Sequence, residues 1–205
     1  MVIIGTGGHA REVAEIVLSL HASGRGGPLL GLLTDAAEQH GIPVLGIPVL
    51  GPPAWVNDHP EVGVVIAIGA NRTRQRIAAG LAPGWCAVAV VSPHAVVSPH
   101  ATIGPGAMVF PNAVLGPLAQ IGAHAIVNVG TSVSHDSVVG AWANLNPGVR
   151  VAGNVSIGAG ASIGMAAAII QGRTIGAWTI VGAGAVVVHD LPANVTAVGV
   201  PARVR

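Results

Sequence analysis

Charged and aromatic side chains are scarce in this sequence. Only 8% of its 205 residues are charged, and the chain has no lysine, no tyrosine and one phenylalanine. A surface that binds nucleic acid needs a stripe of basic side chains together with stacking aromatics, so we expect no nucleic-acid partner. The low charge also predicts that the chain buries surface against copies of itself.

Long apolar runs are absent, and cysteine occurs once. Although 51% of the residues are hydrophobic, Gly, Pro or polar residues interrupt every apolar run before about 18 residues, which predicts no membrane partner. The sequence opens on MVIIGTGGHA, without a basic segment or a cleavage site, so no secretory signal is expected. The single Cys86 excludes an internal disulfide and fits a reducing compartment. We therefore predict a cytoplasmic protein.

Residues 1–88 alternate between strand and helix patterns. The apolar stretches VIIG, LLGLLTD and VGVVIAIG read as strands, and the apolar residues of AREVAEIVLSL recur at helical spacing. A second helix, NRTRQRIAAGL, has Asn71 in position to cap its first turn. This alternation predicts parallel strands with crossover helices, a half-Rossmann-like α/β domain.

A glycine-rich turn joins the first strand to the first helix. GTGGHA places Gly5, Gly7 and Ala10 at the spacing G-x-G-x-x-A, where backbone N–H groups and a helix N-terminus bind phosphate. Asp35, at the end of the second strand, is placed to bond a ribose hydroxyl or a base edge. NAD is the alternative ligand, but a dinucleotide fold needs two mononucleotide halves. The single half present here fits one nucleotide diphosphate that carries a sugar.

From Val91 the pattern changes to a strict period of six. An aliphatic residue recurs at every sixth position through seventeen hexads, the last of which begins at Val187. Such a period predicts a β-solenoid, in which each repeat buries its apolar residue only by stacking on its neighbours. Counted from the aliphatic residue, the fourth position is Gly, Asn, Asp or His in thirteen of the seventeen hexads. Since these residues tolerate positive φ, each hexad is predicted to be a short strand and a corner.

Five motifs, in order, resemble a known family: GTGGHAREV, IAIGANRTR, HDSVVGAWANLNPGV, AGNVSIGAGASIG and VGVPARV. The hexads resemble those of the hexapeptide-repeat acyltransferases, whose fold is a left-handed parallel β-helix with three hexads per coil, usually a homotrimer. With its N-terminal domain, the chain resembles the bacterial N-acetyltransferases of nucleotide-linked 4-amino sugars, as in the bacillosamine and perosamine pathways. Sialic acid O-acetyltransferases form a sister branch.

The resemblance covers essentially the whole chain and implies two domains. Residues 1–88 would be a Rossmann-like nucleotide-sugar-binding domain, and residues 89–205 a left-handed β-helix acetyltransferase domain with a C-terminal tail. The implied activity is acetyl-CoA-dependent N-acetylation of a nucleotide-diphospho-4-amino-4,6-dideoxysugar. Sialic acid-type O-acetylation and a non-catalytic solenoid are the alternatives, and UDP, GDP and dTDP all fit the pattern.

The resemblance implies catalytic roles for His135 and Asp136. His135 matches the family's general base, and Asp136 matches the acid that stabilises its imidazolium. Acetyl transfer to an amine requires the removal of a proton, and imidazole exchanges protons near neutral pH. His189 and Asp190 repeat the pair three coils later, roughly 14 Å away at ~4.8 Å per stacked strand, so the two pairs cannot share a reaction centre. We expect His189 to be a terminating corner.

The resemblance also implies the ligand contacts. The positions that match acetyl-CoA contacts are Asn144, Gly153, Met165 and Ala183. Those that match contacts to the nucleotide sugar are Gly7, Gly8, His9, Thr34, Asp35 and Gly69. Asn144 departs from the family, which commonly has a second histidine there, so it can donate a hydrogen bond but cannot carry a proton. No metal is expected, because the corner histidines lack the spacing of metal ligands.

Overall fold

The computed structural model describes residues 1–205, and the chain divides into two compact units, Met1–Pro93 and His94–Arg205. The division falls a little after residue 88, where the sequence predicts the domain boundary. The reason is that the strand Val90–Val91 contacts the helix Gly8–Ala22 of the first unit.

The first unit is a parallel sheet with two α-helices. Its elements are β1 (Val2–Ile4), α1 (Gly8–Ala22), β2 (Gly31–Leu33), a 3-10 helix (Ala37–Gln39), β3 (Val49–Gly51), a second 3-10 helix (Pro53–Asp58), β4 (Gly63–Ile66), α2 (Asn71–Gly80), β5 (Cys86–Ala87) and β6 (Val90–Val91). The sheet order is β3-β2-β1-β4-β5, and all neighbours are parallel. The predicted half-Rossmann-like topology is confirmed.

Helix α2 does not begin as the sequence predicts. Ala70 is its N-cap, Asn71 is its first residue, and no side chain caps the helix. The Oδ1 atom of Asn71 instead accepts a hydrogen bond from Nη2 of Arg74 at 3.1 Å. The predicted capping role of Asn71 is therefore wrong, because its side chain oxygen is used by a buried arginine of the same helix.

The second unit is built from two-residue strands that recur every six residues. They are β7 (Val96–Val97), β8 (Thr102–Ile103), β9 (Met108–Val109), β10 (Val114–Leu115), β11 (Gln120–Ile121), β12 (Ile126–Val127), β13 (Ser132–Val133), β14 (Val138–Val139), β15 (Asn144–Leu145), β16 (Arg150–Val151), β17 (Ser156–Ile157), β18 (Ser162–Ile163), β19 (Ala168–Ile169), β20 (Thr174–Ile175), β21 (Ile180–Val181) and β22 (Val186–Val187). The strands β23 (Thr196–Val198) and β24 (Arg203–Val204) form a final antiparallel pair.

These strands stack into three parallel sheets. One runs β22-β19-β16-β13-β10-β7, another β20-β17-β14-β11-β8, and the third includes β21-β18-β15-β12-β9. Each strand pairs with the strand three hexads away, as Val133 does with Val151. The second residue of every strand from β9 to β22 is buried. The predicted parallel β-helix with three hexads per coil is confirmed.

The corners between strands stack into three edges. We call the corners after β7, β10, β13, β16, β19 and β22 edge 1, those after β8, β11, β14, β17 and β20 edge 2, and those after β9, β12, β15, β18 and β21 edge 3. Eight non-glycine residues and six glycines at fourth positions have positive φ, and Asp136 (φ 56) is one of them. The predicted corner conformation therefore holds along most of the ladder.

Two tryptophans occupy fourth positions without changing the backbone. Trp142 (φ 64) and Trp178 (φ 58) take the same left-handed conformation as the glycines of the other corners. The indole of Trp142 stacks on the imidazole of His124 at edge 2, with ring centroids 4.2 Å apart and an interplanar angle of 8°. This stacking helps to hold the side chains of Trp142 and His124 at corners whose backbone region favours glycine.

Candidate active site

The first unit gathers the predicted nucleotide-sugar residues at one edge of its sheet. Gly7 and Gly8 follow β1, Thr34 and Asp35 follow β2, and Gly69 follows β4. Because β1 lies between β2 and β4 and all three are parallel, these carboxyl ends are neighbours. A Cβ atom on Gly7 or Gly8 would meet no atom within 4 Å. The N-terminus of α1 is thus open to an anionic ligand.

Hydrogen bonds hold the turn that carries Asp35. Nε2 of His40 donates to the carbonyl oxygen of Thr34 at 2.8 Å, and the N–H of Ala36 donates to Oγ1 of Thr34 at 3.3 Å. The Asp35 side chain lies between these anchored residues and is exposed. It is therefore placed to accept hydrogen bonds from a ligand at this edge.

A buried arginine supports the loop that carries Gly69. Arg74 is 0% exposed, and its Nη1 donates to the carbonyl oxygens of Ile68 at 2.6 Å and Gly69 at 3.2 Å. Burial lowers the pKa of Arg74 to about 10, so it stays charged at neutral pH. Sequence reasoning missed this residue, since no local pattern separates a buried arginine from the exposed ones of the same helix.

His9 is kept neutral by its surroundings. Burial and, to a smaller extent, the positive charge of Arg74 together lower its pKa from 6.5 to about 4. The carboxylate of Glu12 lies 4.0 Å from Nδ1 of His9 and is mostly exposed. An uncharged imidazole beside the N-terminus of α1 therefore acts as a hydrogen-bonding group at neutral pH.

This shift makes the stability of the protein depend on pH. Unfolded His9 binds a proton below pH 6.5, while the folded form stays neutral to about pH 4. The stability due to this group is full above pH 6.5 and is lost as the pH falls towards 4, by about 3 kcal/mol in total. Urea unfolding at several pH values should therefore show that, as the pH falls, the free energy of unfolding decreases more steeply for the unchanged protein than for His9→Asn. Equal losses would contradict the prediction.

In the second unit, His135 and Asp136 form a hydrogen-bonded pair at edge 1. Nδ1 of His135 lies 2.8 Å from Oδ2 of Asp136, and the side chains are 55% and 44% exposed. An ionised carboxylate only accepts, so in the neutral form of the imidazole Nδ1 carries the proton and Nε2 holds the lone pair. Adjacent residues make this contact because Asp136 turns the chain with φ 56. The pair is open to a ligand and oriented to accept a proton at Nε2.

The second His-Asp pair is used differently. Oδ1 of Asp190 accepts the N–H of Thr174 at 2.9 Å and lies 3.7 Å from Nη1 of Arg173. Its backbone is not left-handed, in contrast to that of Asp136. Asp190 thus binds the backbone of the preceding coil near the end of the ladder, as expected for a terminating corner.

The predicted acetyl-CoA residues fall in two places. Gly153 lies in edge 1, one coil after His135, whereas Met165 and Ala183 occupy successive corners of edge 3. Asn144 belongs to β15, in the sheet that leads into edge 3. The structure therefore brings Gly153 to His135 and Met165 to Ala183, but in one chain these two pairs lie on different edges.

No His, Cys, Asp or Glu side chains group in threes that could hold a metal ion. None of the helices combines the length and the apolar character needed to cross a membrane.

Comparison with known proteins gives relatives that span the chain. The PglD N-terminal domain family matches residues 1–81, and no curated protein matches. A histidine-to-alanine variant of GDP-perosamine N-acetyltransferase from Caulobacter crescentus, solved with CoA and GDP-perosamine, is 39% identical over 100% of this chain and 95% of its own, with a TM-score of 0.89.

Two further solved structures are similar over the same length. The acetyltransferase domain of PglB from Neisseria gonorrhoeae FA1090, in complex with acetyl coenzyme A, is 35% identical over 100% of this chain and 98% of its own, with a TM-score of 0.90. WeeI from Acinetobacter baumannii AYE is 28% identical over 100% and 98%, with a TM-score of 0.84. The fold is the left-handed β-helix with an N-terminal α/β region, and the chain belongs to the nucleotide-amino-sugar acetyltransferase family.

Proposed function

We propose that the protein transfers the acetyl group of acetyl-CoA to the 4-amino group of a nucleotide-diphospho-4-amino-4,6-dideoxysugar. The observation that carries this proposal is the exposed His135–Asp136 pair, whose Nδ1–Oδ2 distance is 2.8 Å. The relative from Caulobacter crescentus has the same fold and was solved with CoA and GDP-perosamine bound, which supports the choice of substrates. Acetyl-CoA is a co-substrate, and no metal takes part in the proposal.

His135 is the proposed general base. The amine of the sugar attacks the thioester carbonyl, a C–N bond forms, and Nε2 of His135 accepts the proton that the nitrogen loses. Asp136 stabilises the resulting imidazolium through Nδ1. The C–S bond then breaks, and the imidazolium returns its proton to the departing CoA sulfur. Cys86 has no place in this sequence of steps, because transfer is direct.

The proposed substrate residues of the first unit suit a nucleotide diphosphate. The N-terminus of α1 at Gly7 and Gly8 offers backbone N–H groups to the phosphates. Asp35, held by the turn at Thr34, accepts hydrogen bonds from a ribose hydroxyl or a base edge. His9 and Gly69 complete this proposed site. Because the imidazole of His9 is neutral, it adds no charge that the ligand would have to neutralise.

The proposal includes a homotrimer. Gly153 and His135 share edge 1, whereas the other proposed acetyl-CoA residues, Met165 and Ala183, lie in edge 3. An acetyl-CoA site formed by edge 1 of one copy and edge 3 of its neighbour would unite them, and a closed ring of three copies would repeat that site. Sedimentation should give three times the 20.2 kDa of one chain. We also propose a cytoplasmic location, which the exposed thiol of Cys86 supports.

An acceptor screen tests the proposed reaction. UDP-, GDP- and dTDP-linked 4-amino sugars are each added in a thermal-shift assay, and we expect one nucleotide to raise Tm. Release of the CoA thiol is then followed with that amino sugar as acceptor. The control acceptor is the same nucleotide sugar with a 4-hydroxyl group. Faster turnover of the hydroxyl acceptor would favour the sugar O-acetyltransferase, and no response to CoA or any sugar would favour a non-catalytic solenoid.

A further inference from the structure

The imidazole of His135 lies against the backbone of the next coil. A Cβ atom built on Gly153 would lie 2.6 Å from both Cε1 and Nε2 of His135, and 3.2 Å from Cδ2. Carbon atoms do not approach so closely without displacement, and the imidazole is the group that would have to move. Gly153 is also buried. The ring of the proposed base thus occupies the space of a missing side chain.

Backbone conformation does not explain this glycine. Gly153 is not among the residues with positive φ, so other residues could adopt its backbone conformation. The equivalent corner positions of edge 1 hold Pro117 one coil before His135 and Gln171 one coil after Gly153. Larger residues are therefore accepted elsewhere in this column, and the His135 ring is what requires glycine at position 153.

A buried hydroxyl anchors the same corner. Ser137 is 0% exposed, and its Oγ donates to the carbonyl oxygen of Ala152 at 2.8 Å and accepts the N–H of Val155 at 3.1 Å. These bonds join the residue that follows the His135–Asp136 pair to the backbone on both sides of Gly153. Sequence reasoning did not single out Ser137, since a small polar residue is ordinary at this corner position.

We propose that Gly153 and Ser137 are positioning residues, which together hold the imidazole of His135 in one orientation on the adjacent coil. This inference rests on the proposed function, in which His135 is the general base. Gly153 leaves the space that the ring fills, and Ser137 fixes the distance between the corner and that space. A misplaced base is costly, because a displacement of about 1 Å can lower a rate by about 10²-fold.

The substitution Gly153→Ala tests the first half of the inference. We expect kcat to fall by about 10- to 100-fold. KM for acetyl-CoA and for the nucleotide sugar should change little, because any contact that Gly153 makes with acetyl-CoA uses backbone atoms, which alanine keeps. Gln171→Ala, in the same column one coil on, is the matched control and should leave kcat unchanged. If Gly153 served only to admit acetyl-CoA, the variant would instead raise KM for acetyl-CoA at unchanged kcat, and the inference would be overturned.

A double-mutant cycle separates this inference from the proposed function. In a His135→Ala background, Gly153→Ala should cause no further loss of kcat, because the ring that it displaces is already absent. An equal loss in both backgrounds overturns the positioning role. If His135→Ala itself keeps full activity, the proposed function fails and the inference fails with it. If His135→Ala is inactive while Gly153→Ala is fully active, only the inference fails.

The substitution Ser137→Ala tests the positioning role of Ser137, and Thr179→Val is its matched control. Thr179 is also 0% exposed, and its Oγ1 donates to the carbonyl oxygen of Pro192 at 2.6 Å, at edge 2. Both variants lose a buried bond between coils, so we expect similar decreases in Tm. Only Ser137→Ala should also lower kcat and alter the pH–rate profile. Equal effects of the two variants on kcat would assign Ser137 a purely structural role and overturn the proposal.

Discussion

Replacement of His135 by alanine is expected to lower kcat by about 10²- to 10⁴-fold, the usual contribution of a general base. The reason is that Nδ1 of His135 bonds Asp136 at 2.8 Å, which leaves Nε2 as the proton acceptor at this corner. Binding of both substrates should persist, because the proposed ligand contacts lie at other residues. Steady-state kinetics with the acceptor identified by the thermal-shift screen measure the change.

Two matched variants sharpen this result. Asp136→Asn should cause a smaller loss than His135→Ala, because the base remains while the charge that stabilises its imidazolium is removed. His189→Ala, in the pair three coils later, should leave kcat unchanged. Near-normal kcat in His135→Ala would refute the proposed chemistry, and a large loss in His189→Ala would show that the wrong pair has been assigned.

Replacement of Arg74 by methionine is expected to lower the free energy of unfolding by about 3–5 kcal/mol, since hydrogen bonds to a charged group are lost and three partly buried acceptors are left behind. The acceptors are the carbonyl oxygens of Ile68 and Gly69 and the Oδ1 atom of Asn71. Urea unfolding followed by circular dichroism measures the change.

The control for Arg74 is Arg76→Met on the same helix. Arg76 is exposed, and its replacement should change the free energy of unfolding by less than about 0.5 kcal/mol. Because Arg74 holds the loop that carries Gly69, Arg74→Met should also weaken binding of the nucleotide sugar without affecting acetyl-CoA. Equal stabilities of the two variants would show that the hydrogen bonds of Arg74 add nothing to the free energy of unfolding.

The two His-Asp pairs show where sequence reasoning reaches its limit. Both pairs occupy the third and fourth positions of a hexad, and the local letters are identical. In the structure, Asp136 has positive φ and bonds His135, whereas Asp190 bonds the backbone of Thr174. The difference depends on what the neighbouring coil offers to each carboxylate, and no pattern within one hexad contains that information.

The β-helix could be predicted almost completely because its information is local and repeated. Nearly every hexad has the same strand, corner and buried aliphatic residue, so the period of six predicted the strands and the corners. The resemblance to the hexapeptide-repeat family supplied the three hexads per coil that set the sheets and their register. The parallel sheet of the first unit followed from strand–helix alternation in the same way. Two of its strands were missed, Val49–Gly51 and Cys86–Ala87, because they are very short and lie beside Pro- and Gly-rich segments.

By itself, then, the sequence determined the period and the corners, and its resemblance to the family indicated which positions contact the ligands. Only the tertiary structure decided that the His135 ring occupies the space above Gly153, that Ser137 bonds the adjacent coil, and that Arg74 is buried beneath the Gly69 loop. These features join residues from different coils or different elements, and each depends on side-chain torsions and neighbours that become defined only when the elements pack together.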